Sequence, residues 1–138
     1  MITVKSKKSQ ALARFIEATD NFHSQSREVT SLATSSYRSD YISLRGKFQS
    51  DNSELFNSHR ASLSEVANSN QCAADRDNLV DSLTKKYDER SSDLSLKYRG
   101  DVAYLQESFR AATIAVKEKL DSDVASYLEV YNEEFFGL

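Results

Sequence analysis

Apolar positions in the second half of the chain advance in steps of four, four and three. One row is Leu83, Leu94, Leu105, Val116 and Tyr127, and a second is Tyr87, Tyr98, Phe109, Leu120 and Tyr131. A third holds Val80, Ser91, Val102, Thr113, Val124 and Phe135. A repeat of 11 residues is 3.67 residues per turn, close enough to the α-helical 3.6 to keep one stripe facing one partner in a straight or slightly right-handed coil. The first half carries the same steps less cleanly: Ala33, Leu44, Leu55 and Val66; Tyr37, Phe48, His59 and Asn70; Tyr41, Asn52, Leu63 and Ala74. Upstream, Phe15, Phe22 and Val29 recur every seven residues, as in a conventional heptad.

The two stripes do not share a frame. Extending the first forward lands on Asp77, Asp81 and Lys85, whereas the second runs through Leu83 and Tyr87. An offset of two residues is about 200° around a helix. One continuous helix would therefore present its stripes on opposite sides, and a break between them is expected. The stretch from Asn68 to Asn78 has the Asn, Asp and Ser that serve turns and N-caps. Reflecting the chain about Cys72–Ala73 brings the stripes together, with Val66 facing Val80, Leu63 facing Leu83, and His59 facing Tyr87. Farther along, Phe48 faces Tyr98, Leu44 faces Val102, Tyr41 faces Leu105, Tyr37 faces Phe109, and Phe15 faces Tyr131. Gly46 falls opposite Gly100, which suggests close approach or a bend there.

The pattern thus predicts an all-α protein: a long antiparallel two-helix coiled-coil hairpin with hendecad and heptad repeats, paired into a helical bundle. A single domain over 1–138 would hold a helix over about 9–67, a turn over about 68–78 and a helix over about 79–136. Each helix would be about 85 Å long at the α-helical rise. Residues 1–9 read as an irregular leader, with Ser6 or Ser9 as N-cap and Gly137 as C-cap.

Composition sharpens this reading. Pro is absent and Gly occurs only at 46, 100 and 137, so the special backbone angles of tight turns and catalytic loops are scarce and long helices are favoured. Only 39% of residues are hydrophobic, and mean hydropathy is −0.59, which fits a narrow apolar stripe beside a large wet surface. Abundant Ser lowers helix propensity, so the buried stripe has to supply the stability. No apolar run approaches a membrane span, and Ala11 to Ile16 is too short for a signal-peptide core. Cys72, the single cysteine, excludes an internal disulfide and fits a reducing compartment. A cytoplasmic or virion location is expected.

Charge and chemistry change little. The net charge is −3 with signs interspersed, as on a solvated helix surface. Lys5, Lys7 and Lys8 form a basic cluster too small to indicate nucleic acid or anionic lipid. His59 falls in the seam near Asn52 and Asn70, where a hydrogen-bonded boundary residue is the simpler reading than a ligand. A di-metal carboxylate bundle needs paired Glu-x-x-His motifs, and Asp20-Asn21-Phe22-His23 approaches one without companions. Cys72 has no Cys or His at zinc spacing. Neither a phosphate loop, a nucleophile elbow nor a calcium loop is present, and no His is placed to activate a serine. The expectation is a non-enzyme without cofactor or metal.

Apolar residues flank the stripe: Ile16, Leu32, Ile42 and Phe56 in the first half, and Leu96, Ile114, Leu128 and Val130 in the second. They are either scattered surface residues or a partner surface. The segment from Tyr127 to Phe136 is the densest in apolar residues, which makes Leu128, Tyr131, Phe135 and Phe136, with Ile16, the candidate protein-interaction residues. The expected role is a structural or assembly protein acting through coiled-coil contacts, as a homo-oligomer or a subunit of a larger viral or bacterial complex. The alternative is a small adaptor or inhibitor that binds one target through its aromatic C-terminal end or its turn. A third possibility, a nucleic-acid-associated helical protein using the N-terminal lysines, is the least favoured.

Overall fold

The computed structural model describes residues 3–137. Two α-helices account for nearly all of it, α1 over Val4–Ala67 and α2 over Ala73–Phe136. The chain is an all-α helical hairpin, as the phase break between the stripes requires.

Both helices begin earlier than the sequence pattern suggests, and capping explains why. The Thr3 hydroxyl oxygen accepts the Ser6 amide at 3.1 Å, and the Thr3 carbonyl accepts the Lys7 amide at 2.9 Å. Thr3 is thus the N-cap, in place of Ser6 or Ser9, and the lysines lie inside the helix. The connection is shorter than 68–78. Its first residues tighten after Ala67, with the Ser69 amide and hydroxyl both donating to the Val66 carbonyl at 3.1 and 2.7 Å. Helix α2 then starts at Ala73, where the Cys72 carbonyl accepts the Arg76 amide at 3.0 Å. Asp75 in the first turn complements the exposed amides and the positive end of the helix dipole, so these acids belong to helix rather than turn. No described residue has a positive φ, so the reversal proceeds without a left-handed residue.

The chain divides into two compact units. Unit 1 joins Met1–Tyr37 to Glu107–Leu138, and unit 2 is Arg38–Gln106 with the connection inside it. In unit 1, Phe15 packs on Tyr131 and Tyr37 on Phe109, both with ring centroids 4.8 Å apart. In unit 2, Phe48 stacks on Tyr98 at 4.4 Å and His59 on Tyr87 at 4.5 Å. All four are pairs expected from reflecting the chain about Cys72–Ala73.

The hendecad holds along α2, where every position of its three rows from Leu83 to Phe135 is half-buried, including Ser91 and Thr113. It also continues upstream in α1, where a heptad was expected. Phe22 lies 11 residues before Ala33, and the half-buried positions between Phe22 and Ala33 are Ser26 and Thr30. Val29 is 48% exposed and stands outside the seam. Two polar seam positions satisfy their hydroxyls within the helix: Thr19 and Thr113 donate to the Phe15 and Arg110 carbonyls at 3.0 and 2.8 Å.

The glycines divide by role. A Cβ at Gly46 or Gly100 would meet nothing within 4 Å, so neither marks the close approach expected from their opposition. At Gly137 a Cβ would collide with the Glu133 carbonyl oxygen, the atom that accepts the Gly137 amide at 3.0 Å. The C-cap assignment is thus met through close approach, without a left-handed backbone.

Candidate functional site

The segment singled out by its apolar density lies in unit 1, and the structure divides its residues into two groups. Tyr131 and Phe135 turn inward. Phe22 meets Tyr127 edge-on at 6.2 Å, Tyr127 lies 6.3 Å from Phe15, and Phe15 packs on Tyr131. Tyr131 then stacks on Phe135 at 5.3 Å. Beside them Ala11 is 1% exposed, the one residue buried outright among those described. These rings therefore serve the hairpin's own seam.

Two polar contacts close the edges of this cluster. On one edge the Lys8 ammonium sits 5.0 Å from the Phe135 ring centroid, a cation held over the negative face of the ring. On the other, the Arg14 guanidinium donates to the Glu134 carboxylate at 2.9 Å.

The second group faces outward. Phe136 meets Phe135 edge-on at 5.0 Å and is still 72% exposed. Ile16 is 50% and Leu128 42% exposed. Leu12, 42% exposed, joins them and was not among the residues expected from the sequence; its four-residue spacing from Ile16 is the signal that could have found it. Lys8, Leu12 and Ile16 follow one another at four-residue steps along one edge of α1. Leu128 lies seven residues before Phe135, the ring under Lys8, and so faces the Lys8 edge, whereas Phe136 is turned about 100° from Phe135 around α2. The remaining flanking residues, Leu32, Ile42, Phe56, Leu96, Ile114 and Val130, are exposed as well.

In unit 2 the seam carries a polar layer. The phenols of Tyr98 and Tyr41 hydrogen-bond, and this bond, which favours the protonated form, raises the Tyr98 pKa above the ordinary 10.0. Desolvation adds to the rise, while nearby Arg45 opposes it. A shallow groove between Leu55 and Leu83 exposes an edge of the His59–Tyr87 stack, flanked by Lys86 and Arg90. Cys72 is exposed in the connection. Among the described residues, no group of three His, Cys, Asp or Glu side chains converges as a metal site would need, and no helix is long and apolar enough to cross a membrane.

The chain matches no family model, and neither a curated protein nor a solved structure is significantly similar to it.

Proposed function

We propose that this chain is a structural or assembly protein that works by contact, presenting the outer faces of a helical hairpin to other subunits of a larger complex. The observation that carries this reading is the mismatch between seam and surface. The seam encloses one alanine fully, while Ile16, Leu32, Ile42, Leu96 and Phe136 stand between 50% and 72% exposed. Large aliphatic and aromatic side chains repeated along helix flanks are what a third or fourth helix covers in a bundle. A viral or bacterial assembly, with the protein in the cytoplasm or the virion, is the setting we infer from this combination.

A second reading is favoured by one feature. Phe136 projects at the end of α2 beside the Lys8-covered Phe135, a compact aromatic tip that suits an adaptor or inhibitor engaging a single target. Gentle purification of the tagged chain from its native source, with cross-linking before lysis, tests the proposal. The expected result is recovery in particles several times its own mass with a reproducible set of subunits. Recovery at the mass of the free chain would overturn the assembly reading, and one stoichiometric partner would favour the adaptor.

A further inference from the structure

The seam of unit 2 has two edges, and charge is sorted between them. Grooves mark the first edge. Lys47 and Asp51, three and seven residues after Leu44, and Lys97 and Asp101, three and seven after Leu94, line one groove beside the Phe48–Tyr98 stack. Ser58, Ser62, Lys86 and Arg90 hold the same positions after Leu55 and Leu83 beside the His59–Tyr87 stack. Around Phe48–Tyr98, each lysine of this edge thus stands one turn from an aspartate. Positions one and five residues after the same leucines turn to the opposite side of the stripe, about 60° and 100° from its centre. There the second edge holds Arg45, Gln49, Ser95 and Arg99, with Arg38 one 11-residue repeat before Gln49. Arg45 lies close enough to the Tyr98 phenol to act on it, which places this guanidinium beside the seam.

This stretch of the second edge has no acid. Within unit 2 its nearest carboxylate along the edge is Asp88, 11 residues before Arg99 and about 16 Å from it at the helical rise. Exposed charges are screened over about 8 Å at physiological salt. Arg38, Arg45 and Arg99 form no ion pair among the described residues. Unit 2 as a whole holds 10 Lys and Arg against 11 Asp and Glu, so the edge is cationic by placement and not by composition. Ile42 stands one turn from both Arg38 and Arg45 and is 69% exposed.

From this arrangement we infer that the second edge of unit 2 binds an acidic helix of another protein. Carboxylates of that helix pair with Arg38, Arg45 and Arg99, and an apolar side chain between them covers Ile42. The inference rests on the assembly reading above and supplies the chemistry of one partner. Guanidinium forks match carboxylates and phosphates alike, and Ile42 decides between them, because a nucleic-acid backbone offers it no apolar surface. A near-neutral unit also lacks the overall basic charge of a nucleic-acid module. A second copy presenting the same edge across a twofold axis would bring arginine against arginine. Arg38 and Arg45 are seven residues apart, so a partner helix laid alongside meets them with acids at the same spacing.

Fluorescence anisotropy of the full chain with a labelled synthetic helix, in which each Leu stands between glutamates seven residues apart, tests this. The peptide should bind, and bind less as salt rises. Arg38→Gln with Arg45→Gln and Arg99→Gln should weaken binding at least about tenfold, whereas Lys47→Gln with Lys97→Gln, on the first edge, should leave it unchanged. Far-UV circular dichroism should show full helicity in both variants. Should the arginine variant lose helicity, Ile42→Ser, at one exposed position, should weaken binding without that loss. No binding, equal binding of the peptide with Gln in place of Glu, tighter binding of duplex DNA, or unchanged affinity in the edge variants each overturns the inference. A chain that fails in this way yet is recovered in large particles from its native source loses only the acidic partner. A chain that binds the peptide but is recovered free loses the assembly reading instead.

Discussion

Unit 1 and unit 2 are built on the same 11-residue repeat, yet they hold their helices together differently. In unit 1 the rings run on from one to the next, Phe22 to Tyr127 to Phe15 to Tyr131 to Phe135, with an ion pair on one edge and a cation over a ring on the other. In unit 2 the stacks Phe48–Tyr98 and His59–Tyr87 stand three helical turns apart along α1, with aliphatic Leu55 between them and the Tyr41–Tyr98 hydrogen bond at one side. Unit 2 has its helices joined covalently by the connection over 68–72, so each of its side-chain contacts works against a smaller loss of chain entropy than contacts between Met1–Tyr37 and Glu107–Leu138. The comparison teaches that continuous aromatic contact is concentrated where the pairing is most distant in sequence.

The largest effect should come from Phe15, an α1 ring that meets two rings of α2. Phe15→Ala removes contacts to both Tyr127 and Tyr131 and, for a half-buried ring, should cost about 2 kcal/mol or more. Phe48→Ala, which breaks one stack, should cost less in the same urea titration. Equal costs would erase the distinction between the units.

Next come the two open glycines of unit 2. Gly46→Ala and Gly100→Ala each add a methyl group to a helix interior with no atom within 4 Å to oppose it. Each should stabilise the protein by about 0.5–1 kcal/mol, read as a higher melting temperature. Destabilisation by either would mean that the glycine has a packing role after all.

The ion pair should matter less. Its side chains are 51% and 37% exposed, so Glu134→Gln should cost about 0.2–1 kcal/mol at low salt and less at high salt. The smallest effect is a pH dependence in unit 2. Because the Tyr98 pKa is raised in the folded chain, the stability from its protonated hydrogen bond is fully present below the ordinary value of 10.0 and lost as pH rises beyond it. Tyr98→Phe should shrink the fall in melting temperature above pH 10.0 and leave unit 1 unaffected. A variant with the wild-type alkaline profile would argue against the Tyr41 bond.

Much of this was legible because an 11-residue repeat of large side chains is a strong signal. The rows from Leu83 to Phe135, the phase break and the four facing ring pairs all follow from spacing alone. What escaped the sequence pattern is mostly polar or local. Ser26 and Thr30 hide the upstream hendecad, since their seam positions are visible only once the helix faces are known. Thr3 competes with Ser6 and Ser9 as a cap, and only backbone geometry selects it. Asp75 and Asn78 have turn chemistry, yet α2 already runs through them because Ala73, Ala74 and the dipole favour helix. The Tyr41–Tyr98 bond crosses the seam diagonally, so a reflection that pairs Tyr41 with Leu105 could not show it. Among the candidate residues, density of apolar side chains marked the right segment. It could not separate Tyr131 and Phe135, inside the seam, from Ile16, Leu128 and Phe136 outside it.

The central claim is the register, and aromatic-ring NOE spectroscopy on the labelled chain tests it most directly. Centroids at 4.4–4.8 Å place ring protons within NOE range in four pairs: Phe15–Tyr131, Tyr37–Phe109, Phe48–Tyr98 and His59–Tyr87. All four cross-peaks are expected, and they should be absent from a filtered experiment on mixed labelled and unlabelled chains that detects only contacts between molecules. Cross-peaks displaced by a helical turn, or appearing only between molecules, would contradict the intramolecular antiparallel hairpin.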